Sequence, residues 1–285
     1  MTMQIGLIPA TGAGVGSTPQ YITDFVGAAE AGGFDSVWMG EHPALPVHPD
    51  VPYPGSGEGV SGPSREPLPD PIDWLVFAAA RTTTLLLGTA VLLAPLHSPA
   101  VLAKRVATLD QVSGGRFRLG LGMGWSRQEY VACGATWETR AKRLDETIEA
   151  LRVLWSQEEA TYTGETFSFE PVHCLPKPRS GSVPILIGSS SLAGARRAGR
   201  LGDGFLPFDR DPEKLATSIA EMRRAAEAAG RDPDAIEITA LGGVRPERIA
   251  ALARLGVSRM LLYSSDPSAL ADLGARMHDV IASVS

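Results

Sequence analysis

Residues 98–122 read SPAVLAKRVATLDQVSGGRFRLGLG, and this stretch contains the unit from which the fold is built. Ser98 places an oxygen acceptor directly before Pro99, a pattern that begins helices because proline needs no hydrogen-bond partner at the first helical position. Gly114 and Gly115 end the helix, and a nearly continuous apolar run over Phe117–Leu121 follows. The stretch is therefore one helix-to-strand unit.

The same pattern recurs along the chain. Short apolar runs of this kind are typical of parallel strands covered on both faces. Between them lie segments with helical spacing, several of which also begin with an N-cap oxygen before proline. The predicted strands are Met3–Ile8, Ser36–Met39, Leu85–Leu92, Phe117–Leu121, Val183–Ile187, Gly204–Pro207, Ala235–Ala240 and Arg259–Tyr263.

This alternation gives either a closed barrel or a doubly wound sheet, and the number of strands favours the barrel. The glycines at 12, 14 and 16 after the first strand have the wrong register for a dinucleotide-binding G-x-G-x-x-G motif. A length of 285 residues fits one barrel of about 250 residues plus insertions. We therefore predict an α/β fold, a single (β/α)8 TIM barrel domain over residues 1–285.

Two insertions interrupt the alternation. Residues 43–69 form a Pro/Gly-rich segment after the second strand, and its length suggests a functional loop. Residues 157–181 contain alternating polar and apolar residues around Gly164, which predicts a small hairpin.

Composition narrows the class of partner. The chain has 44% hydrophobic and 20% charged residues and a net charge of −6, without a long basic run. This balance argues against nucleic acid or an anionic membrane as the main partner. No apolar stretch reaches the roughly 18 residues that a membrane helix needs, and the N-terminus lacks a signal-peptide pattern. Cys133 and Cys174 have no metal or redox spacing, so we expect reduced thiols in a cytoplasmic protein. The expected partner is a small-molecule substrate.

Active sites of such barrels lie at the carboxyl ends of the strands. Glu41 and His42 follow the second predicted strand, where His42 can donate a proton to a substrate or polarise it. We expect Glu41 to orient a histidine or to line the cavity. His97, on the same rim, is as suited to bracing its loop as to touching a ligand.

Small or short side chains stand towards the end of the third predicted strand and directly after the fourth. Thr89, Ala90 and Val91, and then Gly122, allow a flat ring to approach the backbone closely. The Trp125 side chain is expected to line one wall of the substrate cavity. Glu129, four residues further on, is expected to be a solvated helix residue.

The fifth strand ends in Gly188-Ser189-Ser190-Ser191, directly before a helical pattern. A strand, a short Gly/Ser turn and a helix N-terminus can bind phosphate through free N–H groups, hydroxyls and the positive end of the helix. An ordinary helix cap is the alternative. The histidines are scattered, without a metal-binding spacing or a carboxylate cluster, so no metal site is expected. A phosphate cradle, a glycine-lined floor and a rim histidine favour a bound redox cofactor over hydrolysis.

Several stretches, in order and at the right spacing, resemble the luciferase-like monooxygenase superfamily of flavin and deazaflavin barrels. They cover most of residues 1–208, and the C-terminal quarter of the chain has only the general strand and helix pattern of a barrel. The matching stretches are Gly33–Trp38 leading to Glu41-His42, Leu87–Leu92, Leu102–Asp110, Ser113–Phe117, Gly120–Trp125 and Arg196–Gly204.

Within this superfamily the chain most resembles the actinobacterial branch that uses coenzyme F420, a 5-deazaflavin. The resemblance implies a ring across the barrel mouth, a non-proline cis peptide at Ala90–Val91, a phosphate-bearing tail at Gly188 and Ser189, and a homodimer. It also implies that His42 lies near the reacting face. Trp125 stands where F420-dependent sugar-phosphate dehydrogenases carry a glutamate, which argues against sugar-phosphate oxidation. The triple serine also departs from the adjacent glycines of many relatives.

The leading hypothesis is an F420-dependent oxidoreductase that transfers a hydride between the deazaflavin and a small organic substrate. The first alternative is an FMN-dependent monooxygenase that works with a separate flavin reductase. The second is a barrel that binds a flavin or metabolite without turnover.

Overall fold

The protein is a closed parallel barrel surrounded by helices, as predicted. The computed structural model describes residues 3–9, 16–51 and 67–284. Around the barrel each strand pairs with the next, and the last pairs with the first. Strands are numbered in chain order, and β4, β6 and β7, which are described below, are not among the eight that close the barrel. These eight are β1 (Gln4–Pro9), β2 (Ser36–Met39), β3 (Leu86–Thr89), β5 (Phe117–Gly122), β8 (Ile185–Gly188), β9 (Gly204–Leu206), β10 (Glu237–Leu241) and β11 (Arg259–Ser264).

The helices follow the strands and pack around them. They are α1 (Pro19–Ala31), α2 (Pro71–Ala79), α3 (Pro99–Val112), α4 (Arg127–Ala132), α5 (Arg140–Ser156), α6 (Leu192–Leu201), α7 (Pro212–Ala228), α8 (Pro246–Arg254) and α9 (Leu270–Val284). Several begin as the sequence predicts. Asp70 and Asp211 each accept two N–H groups from the first turn, and each stands before a proline. No helix in the described residues is both long enough and apolar enough to span a bilayer.

Among the described residues, two apolar clusters stabilise the barrel. The larger fills the space between strands and helices. The smaller lies inside the barrel, where glycines leave room for large side chains: a Cβ on Gly88 would lie 2.2 Å from the ring of Trp38, and one on Gly6 would lie 2.5 Å from Leu261. The inner cluster consists of Ile8, Trp38, Leu186, Leu206, Leu241 and Leu261. The barrel is therefore filled, and ligands are left to the mouth at the carboxyl ends of the strands.

The predicted strand Leu85–Leu92 is wrong as one continuous element. The structure breaks it after Thr89, and a separate short strand β4 (Leu92–Leu93) pairs with β5. Between the two parts the Ala90–Val91 peptide is cis, as the family resemblance implies. Propensity does not place this break, because strand-forming residues stand on both sides of Ala90 and the weak strand formers Gly88 and Ala90 are not consecutive.

Other boundaries differ by a few residues. The predicted strand Ala235–Ala240 begins only at Glu237, since Pro233–Ala235 forms a 3-10 turn capped by Asp232. The predicted hairpin is confirmed as β6 (Ala160–Thr163) and β7 (Ser168–Val172), which pair antiparallel. Cys133 and Cys174 are free thiols, as expected. Most of the first loop and of the 43–69 insertion lies outside the described residues.

Candidate active site

His42 lies directly after β2 and contacts a buried carboxylate. Its Nδ1 atom is 3.2 Å from Glu129 Oε2 and 3.3 Å from Oε1. The His42 side chain is 12% exposed and that of Glu129 is 0% exposed. The N–H group of Ala44 also donates to Glu129, so one carboxylate holds both the ring and the loop that carries it. A carboxylate on Nδ1 fixes the ring orientation and directs Nε2 away from Glu129.

The expectation that Glu129 is a solvated helix residue is wrong. Glu129 stands in the first turn of α4, where its N–H donates to the Ser126 cap, and its side chain turns inward. The capping pattern of Ser126 and Glu129 was visible in the sequence. The partner 87 positions away was not, because it is the pairing of β2, β3 and β5 in the sheet that brings the end of β2 to α4.

Trp125 stands beside His42 at the mouth. The two rings meet edge to face with centroids 6.2 Å apart. Gly124 makes this placement possible, because its φ of +72° is the left-handed conformation that glycine adopts without steric cost. The structure therefore brings Trp125 and His42 together. A role for Trp125 as cavity wall stays a prediction.

Glu41 binds a different histidine from its sequence neighbour. Its carboxylate accepts the N–H of Leu93 at 2.6 Å and lies 2.9 Å from His97 Nε2. Arg143 donates to the carbonyls of Pro95 and His97 and holds the same loop. Glu41 thus orients a histidine, but that histidine is His97 and not its sequence neighbour His42, and the Glu41 carboxylate also holds the chain after the β3 break through Leu93. Contact between Glu41 and a substrate stays a prediction.

The break after β3 lies at the mouth of the barrel, against the ends of β2, β5 and β8. The N–H of Ala90 donates to Met39, and the carbonyl of Val91 accepts the N–H of Glu41. The Val91 side chain fills space that Gly122 and Gly188 leave open, since a Cβ on either would lie 2.5 or 2.4 Å from a Val91 methyl. Ala90 and Val91 are half-buried and form a small apolar surface at the mouth. We call it the Val91 platform.

The four predicted cofactor residues of this region differ in how accessible they are at the mouth. Thr89 is fully buried, and its hydroxyl donates to the carbonyl of Gly120, joining β3 to β5. Gly122 faces the Val91 side chain. Contact of Thr89 or Gly122 with a cofactor stays a prediction, whereas Ala90 and Val91 are accessible at the mouth.

The serine turn after β8 is organised around the start of α6. Ser191 is the N-cap and accepts the N–H of Gly194 at 3.1 Å. The Ser189 hydroxyl accepts the N–H of Ser191 and lies against Gly194, where a Cβ would come within 2.1 Å of it. The first intrahelical bond runs from Ala195 to Ser191, so the N–H groups of Leu192 and Ala193 precede the helical ladder. A cap and an anion site are compatible here, because the cap uses one N–H group and the turn stays exposed.

The residues present fit a planar ring with an anionic tail. The Val91 platform offers a flat apolar contact, and the serine turn lies on β8, whose last residue Gly188 borders that platform. Helix N-terminal N–H groups and hydroxyls are the donors that bind phosphate. Sequence reasoning missed Glu129 and also Phe208, whose ring lies next to Gly188. The signal for Phe208 was its position two residues beyond an inward-facing strand residue.

The comparisons with known proteins find the same parallel barrel. The family model described as luciferase-like monooxygenase matches residues 3–245. The chain belongs to the luciferase-like monooxygenase family, and the predicted resemblance is confirmed.

Two curated relatives and one solved structure illustrate the similarity. An uncharacterized protein of Mycobacterium tuberculosis strain H37Rv is 36% identical over 245 residues, which are 85% of this chain and 86% of the relative. An F420-dependent glucose-6-phosphate dehydrogenase of Nakamurella multipartita is 33% identical over 225 residues, 77% of this chain and 61% of the relative. The coenzyme F420-dependent tetrahydromethanopterin reductase of Methanopyrus kandleri aligns with a TM-score of 0.76 over 96% of this chain and 97% of that one. At 17% identity it shows the shared fold alone.

Proposed function

We propose that this chain is an F420-dependent oxidoreductase that moves a hydride between the deazaflavin and a small organic substrate. The observation that carries the proposal is the Val91 platform, framed by Gly122 and Gly188 and bordered by the serine turn. The 33% identity to an F420-dependent dehydrogenase supports the choice of cofactor. FMN, with a separate reductase, is the alternative that the same surface accommodates.

The cofactor would be held by two parts of the mouth. Ala90 and Val91 would lie under the ring. Ser189, Ser190 and the N–H groups of Leu192 and Ala193 would bind the phosphate of the tail. When bound, the deazaflavin supplies a carbon centre that gives or accepts a hydride in a two-electron step.

His42 would handle the accompanying proton. Reduction at a carbonyl or imine carbon leaves negative charge on the substrate heteroatom, which needs a proton or a hydrogen bond. Glu129 holds Nδ1, so the imidazole would meet the substrate through Nε2. Glu129 would act as a positioning residue.

Trp125 would shape the cavity beside His42. An indole ring has no proton to give to a substrate at neutral pH, so acid catalysis falls to the histidine. Its edge-to-face contact with His42 supports a role in limiting ring movement and excluding water. Glu41 would stabilise the platform by accepting the N–H of Leu93, and His97 would hold the Glu41 carboxylate in place.

Cofactor titration tests the proposal. We expect purified protein freed of cofactor to bind F420 more tightly than FMN, followed by cofactor fluorescence. Ser189→Ala should weaken FMN binding but leave riboflavin, which lacks the phosphate, unchanged. Tighter binding of FMN with no response to F420 would establish the alternative. Binding of neither cofactor would refute both.

Two further expectations accompany this proposal. The chain is expected to form a homodimer and to act in the cytoplasm, and sedimentation and cell fractionation test these points. Residues 1–285 are expected to form one domain with the insertions 43–69 and 157–181, which limited proteolysis tests.

A further inference from the structure

The outer surface of the barrel carries an open groove between α6 and α7, away from the mouth. The two helices come into backbone contact at Gly199, where a Cβ would lie 2.3 Å from the carbonyl oxygen of Met222. Outside this contact the helices leave a groove of about 760 Å³. Among the described residues that line it, four are arginines, four are alanines and one, Glu221, is acidic. The groove is therefore basic at its rim and apolar along its floor.

Helical spacing places the α6 residues of this groove in one row. Ala193, Arg196, Arg197 and Arg200 stand at positions i, i+3, i+4 and i+7, which share one face of a helix. Arg197 is buried, whereas the side chains of Arg196 and Arg200 are 55% and 52% exposed. Arg224, whose side chain is 73% exposed, lines the groove from α7. The groove thus presents three accessible guanidinium groups.

These arginines outnumber the carboxylates that they contact. Glu221 pairs with both Arg196 and Arg224. Asp145 of α5 pairs with the buried arginine, and its other oxygen lies 3.7 Å from Arg200, which is too far for a hydrogen bond. Each guanidinium group has five N–H donors, so two shared carboxylates leave donors on all three exposed arginines. The groove therefore has both the charge and the donors to bind a further anion.

The groove begins at the proposed phosphate site. Ala193 lines the groove, and its N–H is one of the two that precede the helical ladder of α6. From Ala193 to Arg200 the helix rises about 10 Å. Arg200 also lines a neighbouring pocket in which acids such as Glu149 and Glu165 predominate, so the basic surface ends there. A phosphate at the serine turn would thus stand at the head of a short row of positive charges.

We propose that this groove binds the carboxylates in the tail of the cofactor. The inference rests on the proposed function: F420 carries glutamate units beyond its phosphate, whereas FMN ends at its phosphate. The tail would leave the serine turn at Ala193 and follow α6. Its carboxylates would pair with Arg196, Arg200 and Arg224, because a guanidinium group matches a carboxylate with two parallel hydrogen bonds. The groove would then favour F420 over FMN through contacts outside the barrel mouth.

An acidic segment of another protein is a second ligand that could use the same charges. The position of the groove favours the tail, because its first residue belongs to the turn that would hold the phosphate. The two ligands differ in one measurable respect. Only binding of the tail makes the affinity for F420 depend on the arginines of the groove.

Fluorescence titration with three ligands tests the inference: F420 with its glutamates, F420 that keeps the phosphate but lacks the glutamates, and FMN. We expect wild-type protein to bind the full-length form more tightly than the truncated form. In Arg200→Gln/Arg224→Gln the affinity for full-length F420 should fall roughly three- to tenfold, because each exposed ion pair contributes modestly. Affinities for truncated F420 and for FMN should not change. Added salt should narrow the difference between the two forms of F420.

Two controls accompany the double variant. Arg200→Lys/Arg224→Lys should retain part of the affinity, because it keeps the charge and loses only the paired geometry. Arg254→Gln removes an exposed arginine from the last turn of α8, outside the groove, and should bind all three ligands like the wild type.

Three results would overturn the tail site while leaving the proposed function in place. They are equal wild-type affinity for the two forms of F420, unchanged full-length affinity in Arg200→Gln/Arg224→Gln, and an equal loss for both forms in that variant. The last result would show that the arginines act on the fold and not on the tail. Failure of the wild type to bind either form of F420 would overturn the tail site and the proposed function together.

Discussion

The imidazole of His42 and the carboxylate of Glu129 meet at 3.2 Å although 87 positions separate them in the chain. The carboxylate is fully buried and also accepts the N–H of Ala44. A buried carboxylate without its partners is costly, so the pair fixes the loop after β2 as well as the ring.

Replacing Glu129 by Gln should lower kcat by roughly 10- to 100-fold, because the His42 ring loses the charged acceptor that orients it. This loss is smaller than the factor of about 10²–10⁴ in rate that complete removal of a general acid produces. Glu129→Asp should restore part of the rate, and KM should change little. Steady-state kinetics on a turned-over substrate measure both. Glu138→Gln, an exposed carboxylate that pairs with Arg127 near the same helix, is the control. Equal rates for the two variants would remove Glu129 from the proposed mechanism.

Gly188→Ala should weaken cofactor binding without unfolding the barrel. The added Cβ would lie 2.4 Å from a Val91 methyl, closer than carbon atoms approach, so the platform must move. Fluorescence titration with F420 and FMN measures the loss. Gly27→Ala is the control, because a Cβ there meets no atom within 4 Å, and a helical Gly→Ala change stabilises by about 0.5–1 kcal/mol. Unchanged cofactor affinity in Gly188→Ala would show that the ring does not rest on Val91.

Arg116→Ala should destabilise the fold by about 2–4 kcal/mol, since it leaves several carbonyls without a donor. The Arg116 side chain donates to the carbonyls of Ala79, Thr82, Leu85 and Ser113 and to the Thr82 hydroxyl. Urea unfolding followed by circular dichroism gives the difference. Arg254→Ala should stay within about 0.5 kcal/mol of wild type. A similarly small effect for Arg116→Ala would contradict this interpretation.

Glu30 should make stability depend on pH. Burial alone would raise the pKa of Glu30, but bonds from the Thr84 hydroxyl and the N–H groups of Thr83, Thr84 and Leu85 lower it to about 2 from its ordinary 4.5. A lowered pKa in the folded state contributes stability above the unfolded value, and this contribution disappears as pH falls from 4.5 towards 2. Glu30→Gln should therefore be less stable than wild type near neutral pH, and the two should converge in acid. Urea unfolding across this range measures the difference. A gap that persists at low pH would contradict the charge-based account.

Much of the fold could be predicted from local pattern. Ser98-Pro99 and Asp211-Pro212 predict helix starts from neighbouring residues alone, and α3 and α7 begin there. The Asp211 side chain caps its helix as predicted, whereas the Ser98 side chain makes no capping hydrogen bond. The break within Leu85–Leu92 could not be predicted from propensity. It depends on Gly122 and Gly188, which lie on other strands and make room for Val91.

The amino-acid sequence by itself determined the barrel, the strand ends where a site must lie and the candidate residues His42, Trp125 and Ser189. Apolar periodicity, caps and glycine stops act over a few residues, so they can be read along the chain. Only the tertiary structure decided which side chains meet. Glu129 comes to His42 and Glu41 turns to His97 because the parallel pairing of β2, β3 and β5 brings their carboxyl ends to one rim.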